Sequence, residues 1–322
     1  MPHLSVLLQE KGSGCDLIEA ILSHINEHKQ IFGIPFREKL SFVMMMPSRG
    51  KKYDKGRITY AILDNSQPTP LLYAKISRDP SFDSILEREH TQLTYLRSLN
   101  DPIINCSIPT PIQLAKIQDR TILFESALSG RTMLNFIDNL AAETEVDIPL
   151  YTERFINLIE KWLHHFQSVT RHGTETISES FLEQRVKPIL DKYLTYLGFT
   201  NDCRKICSIL LQGFKSFEGA TLPVVVANGN LAPQTILVDD RLSKIGIVDW
   251  KFCETTPLVL REHYCFSQYL FYEWLHRGFL GEGDIENLWS QTFLNFDNSL
   301  GKLLISFIEL TDERLGIEKG LT

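Results

Sequence analysis

A short β-like insertion inside an otherwise helical stretch constrains the fold of this 322-residue chain more than any other feature. Residues 222–252 read LPVVVANGNLAPQTILVDDRLSKIGIVDWKF. Apolar and β-branched residues form three brief runs, 222–227, 235–238 and 244–248. Polar residues stand where the runs end: Asn228-Gly229-Asn230 after the first, Asp239-Asp240 after the second and Asp249 after the third. Side chains gathered at strand ends line a site more readily than they fill a core. The flanking periodicity is helical, over 151–169, 181–197 and 202–217 before the insertion and over 262–276, 284–294 and 300–310 after it. The first of these helices puts Phe155, Ile159, Trp162, Leu163 and Phe166 on one face.

Upstream of Gly130 the pattern changes. A helix over 15–32, with Leu17, Ile18, Ile21, Leu22 and Ile25 at helical spacing, precedes strand-like runs at 40–46, 57–63 and 71–77. A charged helix over 84–99 ends at Asn100-Asp101-Pro102, and two more strands are expected at 112–117 and 121–125. The length suits about two domains. With 33 Lys and Arg against 40 Asp and Glu, the net charge of −7 gives no global pull toward nucleic acid or an anionic membrane, so neither is an expected partner. Any phosphate must be held by a local site.

The opening MPHLSVLLQEKGSG has no basic region before its short apolar run, and no stretch approaches the length of a membrane span. Six scattered cysteines suit a reducing compartment, and the expected location is cytoplasmic. His24 and His28 flank Glu27 in the wrong order for a zinc helix and read as a solvated face.

The insertion resembles the aminoglycoside phosphotransferase and choline kinase-like family, whose catalytic loop reads His-Gly-Asp-x-x-x-x-Asn and whose metal-binding strand ends in Ile-Asp-Trp-Glu. Asn228-Gly229-Asn230 falls on the first triplet, Thr235 on the Asn, and Val248-Asp249-Trp250-Lys251 on the last motif. Upstream, Tyr73-Ala74-Lys75 is similar to the strand of the phosphate-pairing lysine, and Arg88-Glu89 to the helix whose glutamate orients that lysine. Leu123-Phe124-Glu125 and Gly130 resemble the hinge where backbone groups meet an adenine. Ser48, Arg49 and Gly50, in the loop between the first two strands, stand where the family covers the phosphates.

The resemblance spans residues 40–275. It implies an α+β, two-lobed protein kinase-like fold: a helical extension over 1–39, an antiparallel-sheet lobe with one key helix over 40–127, and a larger, mainly helical lobe over 128–322 carrying the 222–252 hairpin. It also implies ATP or another nucleotide as cofactor. The departures fall on the chemistry. Asn230 replaces the proton-accepting acid, and an amide has no basic site near neutral pH. Thr235 is a weaker donor than an amide carbonyl, which leaves Asp249 as the carboxylate for magnesium, and magnesium itself weakly supported. Lys251 stands in place of an acid, beside the nucleotide phosphates, where a cation can take part of a metal's neutralising role. Where the family shows an Asp after a Pro-Leu step, Pro257-Leu258 runs on to Arg261-Glu262, which makes Glu262 a poor substitute.

Three readings remain at this point. The first is a pseudokinase that binds a nucleotide, a small ligand or a protein partner without ordinary phosphotransfer. The second is an active ATP-dependent phosphotransferase acting on a hydroxyl of a sugar, an amino alcohol or an aminoglycoside-like compound. The third is a non-catalytic protein-interaction module.

Overall fold

The strand-like runs before residue 130 build one antiparallel sheet. The computed structural model describes residues 14–33, 40–45, 57–64, 69–142, 146–197, 201–281 and 284. These fall in two compact units, Met1–Ser129 and Gly130–Thr322. In the first, helices α1 (Gly14–Glu27) and α2 (Lys29–Phe32) precede strands β1 (Leu40–Met45), β2 (Arg57–Asp64) and β3 (Pro70–Ser77). Helix α3 (Asp83–Ser98), a short α4 (Pro102–Ser107), β4 (Pro111–Ile117) and β5 (Arg120–Ser126) follow. The strands lie in the order β1-β2-β3-β5-β4, with every neighbouring pair antiparallel.

Successive strand residues face opposite sides of a sheet. Leu72, Ala74 and Ile76 of β3 and Ile122 and Phe124 of β5 therefore share one face, where they pack with Ile18, Ile21 and Ile25 of α1 and Phe32 of α2. The alternate residues, Tyr73, Lys75, Leu123 and Glu125, belong to the other face. There α3 presents a buried stripe of Leu86, Glu89, Leu93 and Leu96 at helical spacing, so Glu89 sits among apolar neighbours rather than on a solvated surface. The sequence expectation of one helix within the strands misses α4. Asp101 ends one element and caps the next, its Oδ1 accepting from the Ile103 and Ile104 amides at 3.0 and 2.9 Å, with Pro102 in the first turn.

The second unit begins with β6 (Arg131–Thr132), α5 (Met133–Leu140), the long α6 (Ile148–Val169) and β7 (Gly173–Thr176). Helix α7 (Glu179–Phe181) runs through a π turn, Leu182–Val186, into α8 (Lys187–Leu197), and α9 (Asn201–Ser216) packs beside it. The insertion supplies β8 (Thr221–Ala227), β9 (Ile236–Val238), β10 (Ile245–Ile247), a 3-10 turn at Trp250–Phe252 and β11 (Glu254–Thr256), before α10 (Arg261–His276). Two three-stranded sheets result, β10-β9-β6 and β11-β8-β7. The β9–β10 turn is held by Asp239, whose carboxylate accepts from the Ser243 and Lys244 amides and the Ser243 hydroxyl at 2.6, 2.9 and 2.7 Å.

Trp250 is fully buried against Trp162 and Phe166 of α6, at ring distances of 6.5 and 5.6 Å, while Trp274 of α10 stacks on Phe155 at 6.0 Å. The aromatic face read from 151–169 thus anchors the residue that follows Asp249. The helices expected at 284–294 and 300–310 lie outside the described residues, apart from Asp284. Among the described residues no helix is long and apolar enough to cross a membrane.

Candidate functional site

Each unit carries one polar cluster built from the residues the sequence singles out. In the first unit, period-two alternation and the Lys75-to-Leu123 register put Lys75 and Glu125 on the same face of adjacent strands. Lys75 Nζ lies 2.7 Å from Glu89 Oε1 and 2.5 Å from Glu125 Oε1. Arg57 of β2 reaches Glu89 Oε2 at 2.8 Å. The Lys75, Glu89 and Glu125 side chains are at most 4% exposed. Burial pushes the Glu125 carboxyl above its ordinary value; Lys75 opposes that rise and Glu89 adds to it. Tyr73, whose Cα faces that of Glu125, is also raised, first by burial and then by the Glu125 charge.

Glu125, which the resemblance puts at the hinge, lies near the end of β5 with its side chain on Lys75. The amides that follow are taken up locally: Ser126 N donates to Thr110 O at 2.9 Å and Ala127 N to Leu71 O at 3.2 Å. Ser48, Arg49 and Gly50 lie outside the described residues.

In the second unit β8 ends at Asn228-Gly229-Asn230. Asn228 Oδ1 accepts the Asn230 amide at 3.1 Å, an Asx turn that closes the loop. Gly229 has φ +77, and a Cβ there would stand 2.3 Å from the Phe252 carbonyl oxygen, so only glycine fits. The Gly229 amide donates to Glu262 Oε1 at 2.8 Å. Glu262, a poor structural acid on sequence grounds, is 3% exposed and ties α10 to the loop. Spacing along the chain does not reveal this, because the first turn of α10 meets a loop 33 residues earlier. Burial, reinforced by Glu262 and Glu254, pushes the neighbouring Cys253 thiol up to about 12, which keeps it protonated and unreactive.

Thr235 is 5% exposed, and its hydroxyl works within the loop. It lies 2.8 Å from Asn230 O and 3.0 Å from Ala232 O as a donor, and it accepts the Ala232 amide at 3.1 Å. The Val248 amide donates to Thr235 O at 2.9 Å, which fixes the end of β10 to the loop. Asp249 follows in the left-handed region at φ +68, an uncommon conformation for a non-glycine residue and one that strand ends at functional sites often show. Asp249 Oδ2 receives the Asn230 side-chain amide at 3.1 Å and lies 3.3 Å from Lys251 Nζ. The ammonium also sits 4.9 Å from the ring centre of Phe252, which is exposed.

Asn230, Asp249 and Lys251 are therefore one contact group, with Thr235 behind it. As donors for a hard divalent cation they fit poorly. One carboxylate is present, one of its oxygens already carries an amide and an ammonium, and the adjacent hydroxyl is turned to backbone carbonyls. As a local charge system, Asp249 and Lys251 cancel. Among the described residues no group of three or more His, Cys, Asp and Glu is placed to hold a metal.

No sequence-family model matches the chain and no curated protein matches it. Solved structures do. An aminoglycoside phosphotransferase from Streptomyces rimosus is 12% identical, with 91% of this chain and 98% of that one covered at a TM-score of 0.50. An aminoglycoside-3'-phosphotransferase of type VIII is 12% identical over 93% and 98%, at 0.53. A macrolide 2'-phosphotransferase of type I is 14% identical over 97% and 95%, at 0.51. Likeness at this identity establishes fold. The chain has the protein kinase-like fold of the aminoglycoside and macrolide phosphotransferases.

Proposed function

We propose that this protein is a pseudokinase: a kinase-fold protein that binds a nucleotide without ordinary phosphotransfer. The observation that carries the reading is the double occupation of Asp249 Oδ2 by the Asn230 amide and the Lys251 ammonium. Phosphoryl transfer in this architecture depends on positioning and on neutralising the phosphate charge. A metal at Asp249 would compete with the Lys251 ammonium for the same carboxylate and would gain that one carboxylate for doing so. With the Lys251 ammonium already set against Asp249, the carboxylate that would recruit magnesium is neutralised within the protein, so magnesium adds little to nucleotide binding at this position.

The base position points the same way. Asn230 donates from its amide and cannot take up a proton from an attacking hydroxyl, a loss of about 10²–10⁴ in rate where general base catalysis operates. Asp249 is no replacement, since the charge that would let it act is paired with Lys251. The fold supports a nucleotide as the ligand, and the net charge of −7 argues against nucleic acid.

The test joins binding with turnover. Thermal shift with ATP, ADP and GTP should show stabilisation, which reaches about 2.7 kcal/mol at one hundred times the dissociation constant. Transfer of labelled phosphate to sugars, amino alcohols and aminoglycosides in the presence of magnesium should stay at background. Magnesium-requiring turnover with any of these acceptors would overturn the reading in favour of an active phosphotransferase. No shift with any nucleotide would favour an interaction module.

A further inference from the structure

Lys75 is held twice. Glu89 alone, at 2.7 Å and itself tied to Arg57, is sufficient to orient the ammonium, yet Glu125 approaches it at 2.5 Å from the neighbouring strand. Glu125 is 2% exposed, and its second carboxylate oxygen has no hydrogen-bond partner among the described residues. A buried carboxylate with one bare oxygen is expensive, and an apolar side chain of similar size would pack there at lower cost. Stability therefore does not account for this residue. Charge does no better at drawing in an anion, because Arg57 and Lys75 are balanced by Glu89 and Glu125.

We propose that Glu125 is a resident anion: it occupies on Lys75 the place that a ligand phosphate would take, and phosphate engages Lys75 only when that carboxylate is neutralised or removed. The proposal rests on the nucleotide reading above and concerns how that ligand's phosphates meet the first unit. The groups that face Glu125 are Lys75 and Tyr73 from β3, Glu89 from α3 and, through Glu89, Arg57 from β2; β4 places Pro111 opposite it and brings no charge. Of these, Lys75 stabilises the ionised carboxylate, while Glu89 and burial favour the neutral acid. Protonation of Glu125 would release one of the two anions on Lys75, so acidification and a Glu125→Gln substitution act in the same direction.

Calorimetric titration of ATP and of adenosine, without divalent metal, into the unmodified chain and Glu125→Gln tests this. Adenosine lacks phosphate and serves as the internal control. Glu125→Gln should bind ATP about tenfold or more tightly, the worth of one charge-assisted contact, with adenosine affinity unchanged. Lowering the pH should tighten ATP binding to the unmodified chain relative to Glu125→Gln, which shares the titration of ATP itself. Glu125→Met, which needs no hydrogen bond, is the second variant should Gln fold poorly. Equal ATP affinity in the unmodified chain and both variants overturns it and leaves the nucleotide reading standing. Silence of all the proteins toward both ligands overturns the two together.

Discussion

Gly229→Ala is the sharpest test of how the loop before Asp249 is built. Two separate costs arise at this position. The backbone at φ +77 lies where a Cβ meets the following carbonyl, worth about 1–2 kcal/mol for a non-glycine residue. The new methyl would also stand 2.3 Å from Phe252 O and 2.9 Å from Phe252 Cβ, neither of them the end of a flexible side chain. Relieving that contact requires backbone movement, an overpacking cost of about 1–3 kcal/mol. The sum is about 2–5 kcal/mol. Gly219→Ala separates the two terms, because Gly219 has φ +88 in the same unit with nothing within 4 Å of its Cβ position. It should lose only the backbone part. Urea denaturation of the two variants should therefore differ by about 1–3 kcal/mol at unchanged slope, or about 2–12 °C in melting temperature for a unit of this size. Equal losses would refute the close approach of the Asn228-Gly229-Asn230 turn to Phe252.

Three further outcomes follow from the same geometry. Glu262→Ala leaves the buried Gly229 amide without its acceptor and should cost about 1–3 kcal/mol in urea denaturation, with Glu262→Gln losing less because it keeps an acceptor oxygen. Glu160 is held below the ordinary carboxylate value by its hydrogen bond from His263 at 2.9 Å, with burial opposing. Its stabilisation is therefore present above the ordinary glutamate value of 4.5 and is lost as pH falls through the depressed one. The side chain is 44% exposed, so the Glu160→Gln difference should be only about 0.5 kcal/mol in pH-dependent unfolding. Asn230→Asp, Thr235→Asn and Lys251→Glu made together should raise the magnesium dependence of ATP affinity, read by calorimetry, by about tenfold or more, since they add oxygen ligands and remove the resident cation.

Much of this arrangement is legible in the sequence, for physical reasons that also explain the gaps. The runs rich in apolar and β-branched residues at 57–63 and 71–77 and the apolar stripe of 151–169 specify β2, β3 and α6, because composition bounded by turn residues marks a strand and helical spacing marks a buried helix face. Lys75 and Glu89 come together because a strand and the following helix pack as neighbours. Helix α5 was missed although Met133, Phe136, Ile137 and Leu140 have helical spacing; at eight residues it draws its stability from tertiary packing rather than local propensity. The hinge resemblance concerns the Glu125 backbone, whereas its side chain, two residues along the strand from the Lys75 partner Leu123, returns to the Lys75 face. Spacing along the chain makes Glu262 a poor substitute, and its contact with Gly229 exists only once α10 packs against the loop. Long-range pairing of polar groups is what pattern alone does not encode.

The central claim is that Asp249 Oδ2 is already shared by the Asn230 amide and the Lys251 ammonium, and that one carboxylate so engaged offers magnesium too little. Calorimetric titration of ATP into the unmodified chain, once with excess magnesium and once with a chelator, tests it most directly. The account predicts dissociation constants that agree within about threefold, under 1 kcal/mol. ATP binding that strengthens by more than about tenfold when magnesium is present would contradict it.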